Sequence, residues 1–125
     1  MSYAEHSAEG VAILLWATDP SAPERLATPF FHAAAAAAMD APVEIYFTAT
    51  SVQLLAPGVA AALRASPRID KTVLAHMQDA AGHGARFFAC TDALVAQGLD
   101  GVTLIPEYTG RGGAVQFMAR ALDLR

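Results

Sequence analysis

Short unbroken apolar runs alternate with longer segments of helical character along this chain. Val11-Ala12-Ile13-Leu14-Leu15-Trp16 is the first such run, continuous rather than alternating, as in a strand covered on both faces. Ala17-Thr18-Asp19-Pro20 breaks it. Ser21-Ala22-Pro23-Glu24 has the form of a capping box with proline near the first helical position, so a helix is expected to begin there. Pro29 interrupts that pattern, which requires either a kink or a fresh start at Thr28-Pro29. The body from Phe30 to Met39 contains an uninterrupted alanine run, Ala33 to Ala38, with high helix propensity and a surface suited to tight packing.

After the turn Asp40-Ala41-Pro42, the run Val43-Glu44-Ile45-Tyr46-Phe47-Thr48 predicts a second strand. Thr50-Ser51 is placed to cap a short helix, Val52–Leu55, which Pro57-Gly58 ends. Val59–Leu63 suits one more helical turn before Ser66-Pro67. Asp70 is expected to cap a helix whose apolar stripe is Val73, Leu74, Met77 and Ala81, with Gly82 to Gly84 closing it. Residues 85–89 predict a third strand leading into Cys90, and a helix over Thr91–Gln97 closes at Gly98. Val102-Thr103-Leu104-Ile105 reads as a fourth strand stopped by Pro106. The loop Glu107 to Gly113 then leads to an amphipathic helix carrying Val115, Phe117, Met118 and Leu122.

Strands alternating with helices predict an α/β fold, a parallel sheet with helices on both sides, within one domain spanning 1–125. Residues 1–9 read as a loosely docked tail. The bulk numbers sharpen this picture. The chain of 125 residues is 54% apolar and only 16% charged, against about a quarter charged in typical domains, which suggests that some apolar surface is covered by another subunit or that helices cover both faces of a sheet. A net charge of −4 with eight scattered basic residues argues against nucleic acid. No run reaches the length of a membrane span, and the first ten residues lack a signal-peptide pattern, so a cytoplasmic protein is expected. One cysteine excludes an internal disulfide.

That cysteine is the leading candidate for chemistry. In the order strand, Cys90, helix, a thiol stands where unpaired backbone N–H groups and the positive end of a helix dipole meet, and both favour a thiolate. Asp92, and Asp19 and Glu107 if near, would oppose it. Ligands in open α/β sheets sit beyond the carboxyl ends of the strands. That rule collects Trp16, Thr18 and Asp19 from the first strand, Thr48, Thr50 and Ser51 from the second, Cys90, Thr91 and Asp92 from the third, and Glu107 and Tyr108 after the fourth. Arg111 is the basic residue best placed to meet an anion, should the Gly110-Arg111-Gly112-Gly113 loop fold over Cys90. That loop lacks the spacing of a nucleotide fingerprint and reads as a flexible helix entry. His76, Asp79 and His83 share a helix face at metal-ligand spacing, but no further ligand is evident, so they read as a solvated polar face rather than a metal site. Trp16 reads as a core or interface residue.

The segments Ala12–Trp16, Ala33–Asp40 with Val43–Thr48, Val52–Leu55 and Gly84–Cys90 resemble the DsrE/DsrF-like family of small sulfur-relay proteins over roughly residues 10–120. The resemblance implies a flavodoxin-like three-layer α/β/α fold with a mostly parallel sheet of four to five strands. It also implies homo-oligomers, trimers or hexamers, and a cysteine that carries sulfur as a persulfide. That role maps onto Cys90 alone. The chain departs from the family pattern in two ways: Asp40 and Ser51 stand where glycine is usual, and the end at Ala121-Leu122-Asp123-Leu124-Arg125 leaves little room for a fifth strand.

The function expected is therefore a sulfur carrier or sulfurtransferase-like protein with Cys90 as the persulfide site. Thr18, Thr50, Ser51, Thr91, Asp92, Tyr108 and Arg111 are the candidate substrate contacts, no cofactor is implied, and donor and acceptor would be other proteins or small sulfur compounds. The alternative is a non-catalytic oligomeric module that binds a small ligand or partner, with Cys90 structural. A nucleotide or flavin binder would rest on fold analogy alone.

Overall fold

The computed structural model describes residues 9–18 and 20–123. The expectations for residues 1–8, Asp19 and the last two residues lie outside it. Strand β1 (Val11–Leu15) is followed by a 3-10 turn (Pro23–Arg25) and helix α1 (Thr28–Ala38), then by strand β2 (Val43–Phe47). Two further 3-10 segments, Ala49–Leu55 and Ala60–Ala62, lead to helix α2 (Val73–Gly82), strand β3 (Arg86–Ala89) and helix α3 (Thr91–Ala96). Strand β4 (Tyr108–Arg111) and helix α4 (Ala114–Asp123) complete the described chain.

The four strands form one parallel sheet in the order β1-β2-β3-β4. When neighbours in sequence are neighbours in the sheet, right-handed crossovers deliver every connecting helix to the same side. Alternation along the strands then separates two unequal faces. On the first face Ile13, Ile45 and Phe87 share a register row, as do Leu15, Phe47 and Ala89. Phe30 of α1 lies 6.2 Å from the Phe47 ring and 6.0 Å from Phe87, and those two rings are 5.4 Å apart. Val52, Leu54, Met77 and Leu94 complete this core from the 3-10 segment, α2 and α3. Each such side chain, fully removed from water, contributes on the order of 1.5–3 kcal/mol. The second face carries Leu14, Tyr46 and Phe88 in one row and is met by α4, with Phe117 edge-on to Tyr46 at 5.3 Å. The fold is thus three-layered, with a thick helical layer on one side and a single helix on the other.

Local chemistry accounts for the boundaries. Thr28 and Pro29 occupy the first turn of α1, so the helix starts afresh there, and its face Phe30, Ala33 and Ala37 is buried. The Ser21–Glu24 signal produces only the 3-10 turn Pro23–Arg25, because Pro29 follows before a second turn can close. Thr72 caps α2, accepting from the Ala75 N–H at 3.1 Å, in place of the expected Asp70. The cap of the 3-10 segment is likewise shifted, to Thr48 paired with Ser51.

The fourth strand differs most from expectation. Val102–Ile105 is irregular, with Ile105 buried and its N–H donating to Leu55 O at 2.9 Å, and the strand is instead Tyr108–Arg111. The apolar pattern of this run reflects the burial of Ile105 beside the 3-10 segment rather than pairing in the sheet, and Val102 and Thr103 are exposed. The true edge strand, Tyr-Thr-Gly-Arg, carries almost no apolar signal. It joins β3 across a bulge, where the Phe87 N–H donates to Thr109 Oγ1 at 3.0 Å. No fifth strand occurs among the described residues.

Candidate functional site

Cys90 follows the last residue of β3 and is the N-cap of α3. Its N–H donates to Phe47 O at 3.0 Å, extending the β2–β3 ladder by one bond, and its carbonyl accepts from the Leu94 N–H at 3.1 Å as the first helical bond. Sheet and helix thus both fix the backbone that carries the thiol. The residue is half-buried and its thiol is free.

Cys90 lines an open cavity of about 240 Å³ at the carboxyl ends of the inner strands. Leu14, Tyr46, Phe47 and Thr48 supply the sheet side. Gly112 and Gly113, with Ala114, Phe117 and Met118 of α4, form the opposite wall. The chain crosses here from the helical layer to the bare face of the sheet, and the two glycines make the crossing. Gly112 is buried, and its N–H donates to Ala89 O at 3.0 Å. A Cβ at Gly112 would lie 3.0 Å from both Phe88 Cβ and Gln116 Nε2. The Gly110–Gly113 segment is therefore strand and close crossing, and at Gly112 the amide N–H is committed to the sheet.

A buried carboxylate holds the α4 wall in place. Glu44, only 4% exposed, lies within β2 on the α4 face. Its Oε2 accepts from Arg86 Nη2 at 2.9 Å, and its Oε1 accepts from Arg120 Nε at 2.9 Å and from the Tyr46 hydroxyl at 3.2 Å. Gln116 Nε2 donates to the Tyr46 hydroxyl at 3.1 Å. Charge-assisted bonds satisfy a group whose burial would otherwise be prohibitive. Burial, aided by the nearby Glu44 charge and opposed by the Gln116 bond, raises the Tyr46 pKa, so the phenol on the cavity wall is neutral near pH 7. The sequence did carry a signal for this cluster: a lone carboxylate inside a run otherwise suited to burial on both faces.

Of the candidate catalytic and substrate-contact residues Cys90 alone lines the cavity, and of the other strand-end residues singled out from the sequence Thr48 joins it. Ser51 is fully buried; its hydroxyl donates toward Leu15 O (2.8 Å) and Thr48 O (2.7 Å) and accepts from the Thr48 N–H, which ties β1 to the start of the 3-10 segment. Thr50 is half-buried within that segment. Thr18 is half-buried beyond the end of β1, with its Oγ1 enclosed and without a hydrogen-bond partner among the described residues. Thr91 and Asp92 are exposed in the first turn of α3, where Asp92 complements the helix dipole. Tyr108 packs its ring against the main core, and burial raises its pKa, opposed by Arg111. Arg111 is exposed on β4 opposite Ala89. Trp16 is 69% exposed, so it is not a core residue.

The histidine face is also corrected. His76 is buried rather than solvated, its ring tilted 60° to the exposed Phe31 ring at 4.7 Å, because α1 packs across α2 at that point. Asp79 pairs with Lys71 instead, and no metal-binding group of His, Cys, Asp or Glu occurs among the described residues. Among the described residues no helix is long and apolar enough to cross a membrane.

A parallel α/β layer with a lone thiol at the end of an inner strand, opening into a small apolar cavity, defines a class: α/β domains with one strand-end cysteine available to a ligand. The DsrE/DsrF-like family model matches residues 11–122, and the chain belongs to that family. No curated protein matches it.

Proposed function

We propose that this chain is a sulfur carrier, taking sulfane sulfur as a persulfide on Cys90 and passing it to a partner thiol. The observation that carries the reading is the placement of Cys90: the thiol-bearing residue of a sulfur-relay family member lies at a strand end, fixed by β3 and α3, on the wall of an open cavity. In the first step the Cys90 thiolate attacks the outer sulfur of a donor persulfide or polysulfide. A new S–S bond forms, the donor's S–S bond breaks, and the donor leaves as a thiolate. In the second step an acceptor thiolate attacks the outer sulfur and Cys90 leaves as thiolate. The exchange involves no net oxidation and needs no cofactor. The apolar walls suit a large, polarisable sulfur atom.

Donor and acceptor are other molecules, since no second cysteine is present. The working unit is a homo-oligomer acting in the cytoplasm, where a single thiol stays reduced. Thr18, Thr50, Ser51, Thr91, Asp92, Tyr108 and Arg111 are outside the lining. Of these, Arg111 remains the side chain suited to guide an anionic donor.

The apolar lining also favours a second reading, a binding module for a small apolar ligand in which Cys90 is structural. Intact mass after incubation with polysulfide separates the two. A reductant-reversible gain of one or more sulfur atoms, absent from Cys90→Ala, is expected of a carrier. An unmodified folded, reduced protein would leave the binding module.

A further inference from the structure

β1 is an edge strand, and among the described residues nothing pairs with its outer side. Val11 donates to Pro42 O and Leu15 O accepts from Thr48, so the odd residues of β1 bond inward to β2. By alternation, Ala12 and Leu14 direct N–H and C=O groups outward. This edge, Val-Ala-Ile-Leu-Leu, has none of the charges, prolines or bulges that ordinarily protect a free edge. An independent feature lies beside it. α4 packs over β1 and β2, yet its residues Val115 (86% exposed), Met118 and Leu122 (75% exposed) form an apolar stripe, one and two turns apart, that this chain leaves largely uncovered. Leu14 of β1 and Trp16, one residue past its end, are exposed as well.

We infer that a second copy of this chain covers this face, by antiparallel pairing of β1 with its own symmetry mate. A two-fold axis through Ile13 sets Ala12 opposite Leu14 of the other copy and Leu14 opposite Ala12. These are the two residues whose backbone groups point outward, so four hydrogen bonds form and the two sheets join into one of eight strands. The same operation leaves both α4 helices on one side of the joined sheet, next to the seam, where their apolar stripes meet. An edge strand alone would accept any extended segment. The coincidence of a self-complementary edge with a helix stripe on the same side selects a second copy.

Charge and area agree. None of Leu14, Trp16, Val115, Met118 and Leu122 is charged, so two chains of net charge −4 approach on a neutral face. At their exposures these side chains leave on the order of 600 Å² of apolar surface in water, and the strand edge adds to it, against roughly 800 Å² a side in a standard interface. Leu14 and Met118 also line the Cys90 cavity, so the second copy closes over one of its walls. This specifies the homo-oligomer named under the proposed function and is independent of sulfur loading.

The test is the sedimentation of the full chain and two variants. Ala12→Pro removes an outward N–H, and proline is tolerated on an edge strand whose N–H faces solvent. Leu122→Glu places a charge in the helix stripe, away from the cavity lining. The expected result is a wild type containing an even number of chains, with both variants reduced to half that mass or less while retaining native circular dichroism. Should Ala12→Pro fail to fold, Val115→Glu joins Leu122→Glu as the second probe. An oligomer that persists in both folded variants overturns this interface but leaves the homo-oligomer. A monomeric wild type overturns both, and a trimer overturns the two-fold pairing.

Discussion

Gly112 and Gly110 look alike in the sequence, two glycines of one loop-like segment, and their surroundings separate them. A Cβ at Gly112 would meet the Phe88 Cβ, anchored to the β3 backbone, and the movable end of Gln116, whereas a Cβ at Gly110 would meet nothing within 4 Å. Gly112→Ala is therefore expected to destabilise the fold by about 1–3 kcal/mol, as overpacking does. Gly110→Ala should stay within about 0.5 kcal/mol of wild type. Urea unfolding of the two variants checks the contrast. His76 offers a second test at this scale. Burial first, and the Lys71 charge second, lower its pKa below 6.5, with Asp79 opposing. Between that lowered value and 6.5 the unfolded chain binds the proton and the folded chain resists it. The stabilising contribution is therefore complete above about pH 6.5 and is lost as pH falls through the lowered value. Thermal unfolding from pH 7.5 to 5 should show a decline that is shallower in His76→Leu.

At the scale of elements, pattern and position part company. β1, β2 and β3 were legible because each is a largely apolar run of strand length. α1 and α3 were legible from Thr28-Pro29 and from Gly98, whose φ of +71° suits the end of a helix. β4 was not, because its stability comes from a ladder to β3 and a Thr109 side-chain bond rather than from burial of its own residues. The position of Cys90 followed from the strand and cap signals around it. The α4 wall of its cavity did not, since that wall depends on Glu44, Arg86 and Arg120, separated by up to 76 residues in the chain. α4 has no fully buried residue, so its attachment rests on this clamp and on half-buried Phe117. Glu44→Gln keeps the shape and removes the charge, and is expected to cost about 1–3 kcal/mol. Amide exchange should quicken in α4 while the β2 and β3 ladders stay protected.

The molecule as a whole is lopsided, and that asymmetry bears on the thiol. On the side of α1, α2 and α3, three aromatic rings and a layer of aliphatic residues lock the sheet. On the other side one helix packs on Tyr46 and supplies Ala114, Phe117 and Met118 to the cavity wall. Local opening free energies follow burial, so α4 should detach before the core does, and Cys90 lies under its first turns. Each 1.4 kcal/mol removed from the docking of α4 raises its open population about tenfold. Alkylation of Cys90 by a reagent too large for a cavity of about 240 Å³ should therefore speed up in Glu44→Gln by roughly a factor of ten, well below the urea concentration that unfolds the sheet. A small reagent should show a lesser change, because the cavity is already open to it. Equal rates in wild type and Glu44→Gln for both reagents would mean that α4 does not gate the thiol. Sulfur would then reach Cys90 through the cavity as it already stands open.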